Sequence, residues 1–98
     1  MILVGTIVSC QDVENSDKLY KLNVDFGPYG IKQILSGIKK YYQSDDLIGQ
    51  QNIFLFNLEP KKILNIESNG MILVAKSDEN KPIIVKPIEK VPNGTKLG

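Results

Sequence analysis

The alternation of apolar and polar side chains between Tyr20 and Phe26 constrains the fold more than any other feature of the sequence. Every second residue of this segment is apolar, and the three residues between them are polar or charged. A period of two is typical of a β-strand with one buried face, because successive side chains point to opposite sides of a strand. The segment therefore predicts a sheet that covers a core on one side.

Four further segments predict strands, because they are apolar runs bounded by residues that favour turns. They are Ile2–Val8, Ile31–Ile38, Ile53–Leu58 and the apolar run that begins at Met71. Gly5 is an expected bend or bulge in the first of them. The Asn69-Gly70 pair is a strong turn signal, so we expect a turn directly before the last run. A final short strand is expected over Ile83–Val85.

One short helix is expected between the third and fourth strands. Ser44 is its predicted N-cap, Asp45 and Asp46 suit the positive end of a helix, and Gly49 suits its end. Five strands with a helix in this place form the plan of an oligonucleotide/oligosaccharide-binding (OB) barrel. Periodicity alone leaves an SH3-like barrel or a meander open. We expect residues 1–98 to form one all-β, five-stranded OB-fold domain with a C-terminal extension.

The residue types that the chain lacks exclude several kinds of site. It has no His, Cys10 is its only cysteine, and all twelve basic residues are Lys. Imidazole is therefore absent as a general base or metal ligand, and thiolates are too few for a zinc cluster. The guanidinium fork that reads guanine is absent as well. We expect a binding protein that is not an enzyme and uses no metal or cofactor.

The location of the chain is predicted from its N-terminus and its cysteine usage. The apolar stretch Met1–Cys10 has no basic residue before it and is too short to span a bilayer. A single cysteine without an export signal favours a reducing cytoplasm. The net charge of +1 attracts neither membrane nor nucleic acid at long range. We expect a cytoplasmic protein without membrane contact.

Five lysines are the candidate positions for binding a polyanion. They are Lys32, Lys39, Lys40, Lys61 and Lys62, with Asn57 between the two doublets in sequence. In OB barrels the face of the second and third strands, with the adjacent loops, forms the ligand groove. Tyr41-Tyr42 follows the first doublet and offers aromatic surface for stacking. A single exposed lysine is ordinary on a protein surface, and one of the two tyrosines could equally belong to the core. The prediction of a polyanion site therefore depends on the two lysine doublets together.

Five segments carry a resemblance to a known family. They are Asn15–Tyr20, Gln33–Ile38, Asp46–Gly49, Asn57–Lys62 and Glu67–Met71. In this order they resemble the motifs of the tRNA-binding domain that is appended to methionyl- and tyrosyl-tRNA synthetases and to the endothelial-monocyte-activating polypeptide. The domain also occurs as free-standing proteins. The resemblance implies largely sequence-nonspecific binding of tRNA, either alone or as a trans-acting accessory of a synthetase such as methionyl-tRNA synthetase.

The resemblance also implies which residues contact RNA. The family contacts match Lys61, Lys62, Ser68 and Met71, with Asn57 and Lys39-Lys40 nearby. The Ser68 hydroxyl is expected to meet a phosphate or a ribose, and Met71 is expected to form an adaptable apolar contact with a base. Glu67 is expected to be structural and to accept main-chain N–H bonds within the predicted turn.

A homodimer is the expected oligomer. Val13-Glu14 stands where many relatives have His-Pro, which resembles the bacterial branch of the family, and Pro92–Leu97 resembles the region that helps to form its dimer. Bacterial dimeric members carry a helical segment before the first strand, whereas Met1 begins at the strand here, so a monomer stays open. If the tail packs across a dimer interface, deleting residues 91–98 is expected to leave a monomer whose barrel loses little stability.

Two other functions stay open. Asp25–Gly27, Gly30–Gln33, Asp46–Gln51 and Pro92–Lys96 also resemble the CsaA secretion chaperones, which bind unfolded preproteins. A weaker alternative is an assembly module that docks onto a synthetase. Glu67–Met71, at the expected binding loop, resembles the tRNA-binding family and favours tRNA as the ligand.

Overall fold

The computed structural model describes the side chains of residues 1–56 and 59–98. One antiparallel sheet contains the five long strands, in the spatial order β3-β2-β1-β4-β5. The strands are β1 (Ile2–Asp12), β2 (Tyr20–Asp25), β3 (Ile31–Ser36), β4 (Gln51–Ile63) and β5 (Ile66–Ile72). A 3-10 turn (Gly27–Tyr29) joins β2 to β3, and helix α1 (Ser44–Leu47) lies between β3 and β4. The predicted all-β OB barrel is confirmed.

Side chains close the barrel where its two edge strands, β3 and β5, meet; we call this contact the seam. Asn69 Nδ2 donates a hydrogen bond to the carbonyl oxygen of Gln33 at 3.2 Å, and Gln33 Nε2 donates to the carbonyl oxygen of Glu67 at 2.7 Å. The main-chain N–H of Leu35 donates to Ser68 Oγ at 3.0 Å. Side chains thus form hydrogen bonds with main-chain groups of the two edge strands, which a regular sheet would pair with each other.

The core is built from the predicted alternation. Tyr20, Leu22 and Val24 are buried on β2, and Phe26 completes this face with no exposed surface. The Phe26 ring lies edge-on to two aromatic rings of β4, with centroids 5.3 Å from Phe54 and 5.1 Å from Phe56, which is a favoured arrangement of aromatic pairs. The strand β2 therefore buries one face, as its sequence predicts.

The predicted turn at Asn69-Gly70 is wrong, because both residues lie within β5. The hairpin turn is at Leu64-Asn65, whose φ angles of 51° and 63° are the positive values of a type I′ turn. Gly70 is required for another reason: a Cβ atom there would overlap the carbonyl oxygen of Leu55. Glycine serves here for a close approach of two strands and not for a turn.

Of the bend or bulge expected at Gly5, the bulge is wrong. Gly5 pairs in regular register with Asn52, and the irregularity of β1 lies between Ile7 and Ser9. A side chain at position 5 would meet Val24 and Phe26, so this glycine makes room for the core.

The helix α1 begins at Ser44, one residue after its N-cap Gln43, which makes no side-chain capping bond. The prediction of Ser44 as N-cap is therefore wrong by one residue. Asp45 and Asp46 occupy the first turn as expected, and Gly49 follows the helix with a φ of 89°. Among the described residues, no helix has the length and apolar composition needed to cross a membrane.

A second, two-stranded sheet follows the barrel. The apolar run after Gly70 does not form one strand: β5 ends at Ile72, and β6 (Val74–Lys76) pairs with β7 (Pro82–Ile84). The last short strand is thus confirmed, one residue earlier than predicted.

The C-terminal tail packs on its own barrel. It lies beside the first half of β1, where Val4 N–H donates to the carbonyl oxygen of Thr95 at 2.9 Å and Gly94 N–H donates to that of Val4 at 2.7 Å. The side chain of Gln51 bonds both main-chain groups of Val91, at 2.6 and 3.0 Å. Because these bonds lie within one chain, we expect the tail to stabilise its own barrel, and its contribution to a dimer stays a prediction.

Candidate nucleic-acid interface

A cavity of about 400 Å³ lies between the β4–β5 hairpin and the end of β3; we call it the hairpin groove. Most of its lining is apolar, and the only ionisable side chains among its described lining residues are two lysines. The lining residues are Leu19, Leu35, Ser36, Gly37, Leu55, Lys61, Lys62, Ile63, Ser68, Gly70, Met71 and Ile72. The groove therefore brings together four of the predicted RNA contacts: Lys61, Lys62, Ser68 and Met71.

The hairpin positions the two lysines. Lys61 lies opposite Ser68 and Lys62 lies opposite Glu67 in the antiparallel register, and both lysines are exposed. Both lysines line the hairpin groove at this end of β4. Within the part of the chain that the structure describes, neither lysine takes part in a salt bridge. Both charges are available to a ligand.

Ser68 is almost completely buried, with 3% of its surface exposed. Its hydroxyl accepts the seam bond from Leu35 N–H and donates to the carbonyl oxygen of Gly70 at 2.9 Å. The hydroxyl thus already has two partners within the chain. Its contact with RNA stays a prediction.

Glu67 has an exposed side chain and contributes its main-chain carbonyl to the seam. The expected role of its carboxylate in a turn is wrong, because β5 and not a turn runs through this position.

Met71 is the most prominent apolar group of the groove. It lies opposite Leu55 on the hairpin, and 58% of its surface is exposed. Ile63 and Leu64 at the hairpin tip are also exposed, by 41% and 60%. Met71 and Ile63 both line the groove, and large exposed apolar side chains at a concave site are typical of a ligand or partner surface.

The other predicted lysines do not line the hairpin groove. Lys39 Nζ lies 3.3 Å from Asp12 Oδ1, and Lys40 Nζ lies 3.9 Å from Asp17 Oδ2, so carboxylates on or next to the β1–β2 loop partly neutralise this doublet. Lys32 is half-buried on β3, opposite Val24. Asn57 lies outside the described side chains. RNA contact by these four residues stays a prediction.

The Tyr41-Tyr42 pair is divided between surface and core. Tyr42 packs against the core, and its hydroxyl donates to the carbonyl oxygen of Pro82 at 2.7 Å, which fastens the second sheet to the barrel. Tyr20 Oη donates in turn to the carbonyl oxygen of Tyr42 at 2.7 Å. Of the pair, Tyr41 is the one that can stack on a ligand, since 48% of its surface is exposed.

Burial keeps two ionisable groups near the β1–β2 loop protonated. It raises the pKa of the Cys10 thiol from 9.0 to about 11, with the negative charge of Asp12 adding to the effect. Burial also raises the pKa of Tyr20, whose hydroxyl is held as a hydrogen-bond donor. A protonated thiol is a poor nucleophile and a poor metal ligand. No group of three or more His, Cys, Asp or Glu side chains that could hold a metal occurs within the described part of the chain.

Sequence reasoning missed the apolar floor of the groove. Leu19, Leu35 and Leu55 come from the β1–β2 loop, β3 and β4 and meet only in the folded barrel. One signal was present: Leu35 directly follows Ile34, which breaks the alternation expected of a strand with one buried face. A leucine at a position where the alternation predicts a polar side chain indicates a second apolar surface, separate from the core.

Proteins of known sequence that resemble this chain include methionine–tRNA ligases. The ligase of Campylobacter jejuni is 43% identical over 97 residues, which cover 99% of this chain and 15% of that protein. The ligase of Thermococcus onnurineus is 44% identical over 94 residues, which cover 96% of this chain and 13% of that protein. The chain thus spans only a small part of the length of these relatives.

Solved structures with the same fold include a protein related to methionyl-tRNA synthetase (MetRS) and a chaperone. A MetRS-related protein from Pyrococcus horikoshii superimposes with a TM-score of 0.90 at 33% identity, covering 99% of this chain and 88% of the other. The chaperone CsaA from Bacillus anthracis gives 0.87 at 30% identity, covering 99% and 89%. Residues 2–96 match the family model described as "Putative tRNA binding domain". The chain therefore belongs to the tRNA-binding domain family and is related to methionine–tRNA ligases.

Proposed function

We propose that this chain binds tRNA through the hairpin groove and the surface around it, with little dependence on nucleotide sequence. The observation that carries the proposal is the charge of the groove: among its described lining residues, Lys61 and Lys62 are the only ionisable ones, and none is a carboxylate. Lysine ammonium groups bind phosphates as point charges, and contacts with phosphates carry no direct information about the base sequence. With no Arg in the chain to read guanine, unrelated tRNAs should bind with similar affinity.

A salt titration with charge-matched variants tests this proposal. Replacing Lys61 and Lys62 by Ala should weaken binding of every tRNA and should flatten the plot of log K against log salt, by about 0.7–0.9 for each phosphate that is no longer neutralised. The control is Lys86→Ala with Lys90→Ala, because these exposed lysines lie at a different cavity and their removal changes net charge equally. Equal effects of the two double variants would show that RNA does not use the hairpin groove. A preference of more than about 100-fold for one tRNA would refute recognition by shape and backbone.

The cellular role that we propose is that of a free-standing tRNA-binding protein or a trans-acting accessory of a synthetase in the cytoplasm. The similarity to methionine–tRNA ligases along nearly the whole chain supports it. We also propose a homodimer, which would present two grooves to one tRNA and raise affinity through effective concentration. Light scattering after size-exclusion chromatography measures the oligomer, and titration of methionyl-tRNA synthetase with this chain tests the accessory role.

A second candidate function is binding of unfolded polypeptides, as in a CsaA-like export chaperone. The apolar floor of the groove and the exposed Met71 favour it, because such a surface also accepts apolar peptide side chains. Competition separates the two functions: an unfolded polypeptide should fail to displace tRNA at equal concentration if tRNA is the ligand. Capture of the polypeptide without any tRNA binding at low salt would establish the chaperone function instead.

A further inference from the structure

We infer that the hairpin groove takes an unpaired nucleotide, with the base inserted against the apolar floor and the adjacent phosphates held by Lys61 and Lys62. This inference rests on the proposed function, since it assumes that RNA is the ligand. It adds what the groove recognises within that RNA: a base that has no partner, and not the backbone of a double helix.

The dimensions of the groove favour a single small group. Its volume of about 400 Å³ lies at the lower end of the range of about 300–1,000 Å³ that small-molecule sites occupy. A nucleoside is a group of this class, whereas a double helix is far wider and can only rest on the rim. The interior of the groove is therefore accessible to a base that protrudes from the RNA.

The chemistry of the floor favours the face of a base. Leu35, Leu55 and Ile72 line the groove, and Met71 stands beside them with most of its surface exposed. Every base has an apolar π-face, so a floor of this kind accepts any of the four bases. A base within a helix has both faces covered by its neighbours, so only an unpaired and unstacked base can bury a face here. Contact with the face of a base thus explains two expected properties of binding: it does not depend on the nucleotide sequence, and it requires an unpaired base.

The charges at the rim favour a nucleotide over an apolar peptide. The described lining residues include two lysines and no carboxylate, and Lys61 and Lys62 follow directly along β4 beside the floor. A nucleotide offers a phosphate on each side of its base, within reach of neighbouring ammonium groups. An apolar peptide segment offers these ammonium groups no negative charge.

A tetranucleotide and its abasic counterpart test the inference, because the two carry the same phosphates and differ only in their bases. In a fluorescence titration, wild-type protein should bind the tetranucleotide about 10-fold more tightly than the abasic chain. Met71→Ala should remove most of this difference while leaving affinity for the abasic chain and the salt slope unchanged. Ile88→Ala is the matched control: it removes a fully exposed apolar side chain outside the groove and should change neither affinity.

Other outcomes overturn the inference in distinguishable ways. Equal affinity for the two probes, or a Met71→Ala variant that still separates them as the wild type does, shows that no base enters the groove. In that case lysine-dependent binding of intact tRNA leaves the proposed function standing. Absence of binding to the tetranucleotide and to intact tRNA overturns both. Capture of an unfolded polypeptide with no binding of either probe assigns the groove to peptides.

Discussion

Ser68→Ala separates the structural role of the seam from a role in RNA binding. The family resemblance predicts that Ser68 contacts RNA, yet its hydroxyl joins the two edge strands of the barrel. The variant removes one oxygen atom and leaves the main-chain N–H of Leu35, a residue only 4% exposed, without its acceptor. If the hydroxyl is structural, stability should fall and tRNA affinity of the folded protein should change little.

The magnitude follows from the buried N–H group. Leaving such a donor unsatisfied costs about 1–3 kcal/mol, so we expect a loss of about 2 kcal/mol in the free energy of unfolding. For a domain of about 100 residues, 1 kcal/mol corresponds to roughly 4–8 °C in Tm, so a decrease of about 10 °C is expected. Small domains have a free energy of unfolding of about 5–15 kcal/mol, which exceeds the expected loss. The variant should therefore still fold at low temperature.

Circular dichroism during heating and in urea measures the stability. A tRNA titration measures binding by the folded variant and is done at about 10 °C, which is near the temperature of maximum stability of a typical domain. Ser36→Ala is the matched control, since Ser36 is a buried serine of the same groove whose hydroxyl is not one of the seam contacts. It should lower Tm by much less. A Ser68→Ala protein that keeps its Tm and loses tRNA affinity would refute this reasoning and return the hydroxyl to the RNA contact.

Two further predictions concern the tail and the free thiol. Deleting residues 91–98 removes the hydrogen bonds that Val4 and Gln51 form with the tail, so circular dichroism should show a Tm at least about 10 °C lower, and an unchanged Tm would contradict the observed packing. Because the pKa of Cys10 is raised from 9.0 to about 11, the folded thiol keeps its proton where an unfolded thiol has begun to lose it. Alkylation at about pH 8 should therefore be about 10- to 100-fold slower in native protein than in urea, and equal rates would show that the thiol is not shielded.

The sequence by itself determined the all-β class and the approximate position of most strands. The alternation from Tyr20 to Phe26 and the order of the apolar runs predict a five-stranded barrel, because burial of one face imposes a period of two that any window of the chain displays. The residue types also limited which sites the chain can form. Without His there is no imidazole site, and without Arg there is no planar guanidinium fork to read guanine.

The role of Gly70 could not be predicted from the residues next to it in sequence. Asn69-Gly70 has the composition of a turn, and the residues around it carry no signal against one. Gly70 is instead where the carbonyl oxygen of Leu55 comes close to β5, while the turn falls on Leu64-Asn65. A close approach depends on a residue of the neighbouring strand, so it could not be read from the residues next to Gly70 in sequence.

The binding surface was decided by tertiary structure in the same way. As a sequence, Lys39-Lys40 and Lys61-Lys62 are equivalent doublets, but carboxylates of Asp12 and Asp17 lie near the first doublet and only the second lines the hairpin groove. The apolar floor between the strands is assembled from segments that are distant along the chain. Charge and apolarity are properties of single residues, whereas a groove exists only once closure of the barrel has placed those residues around a common space.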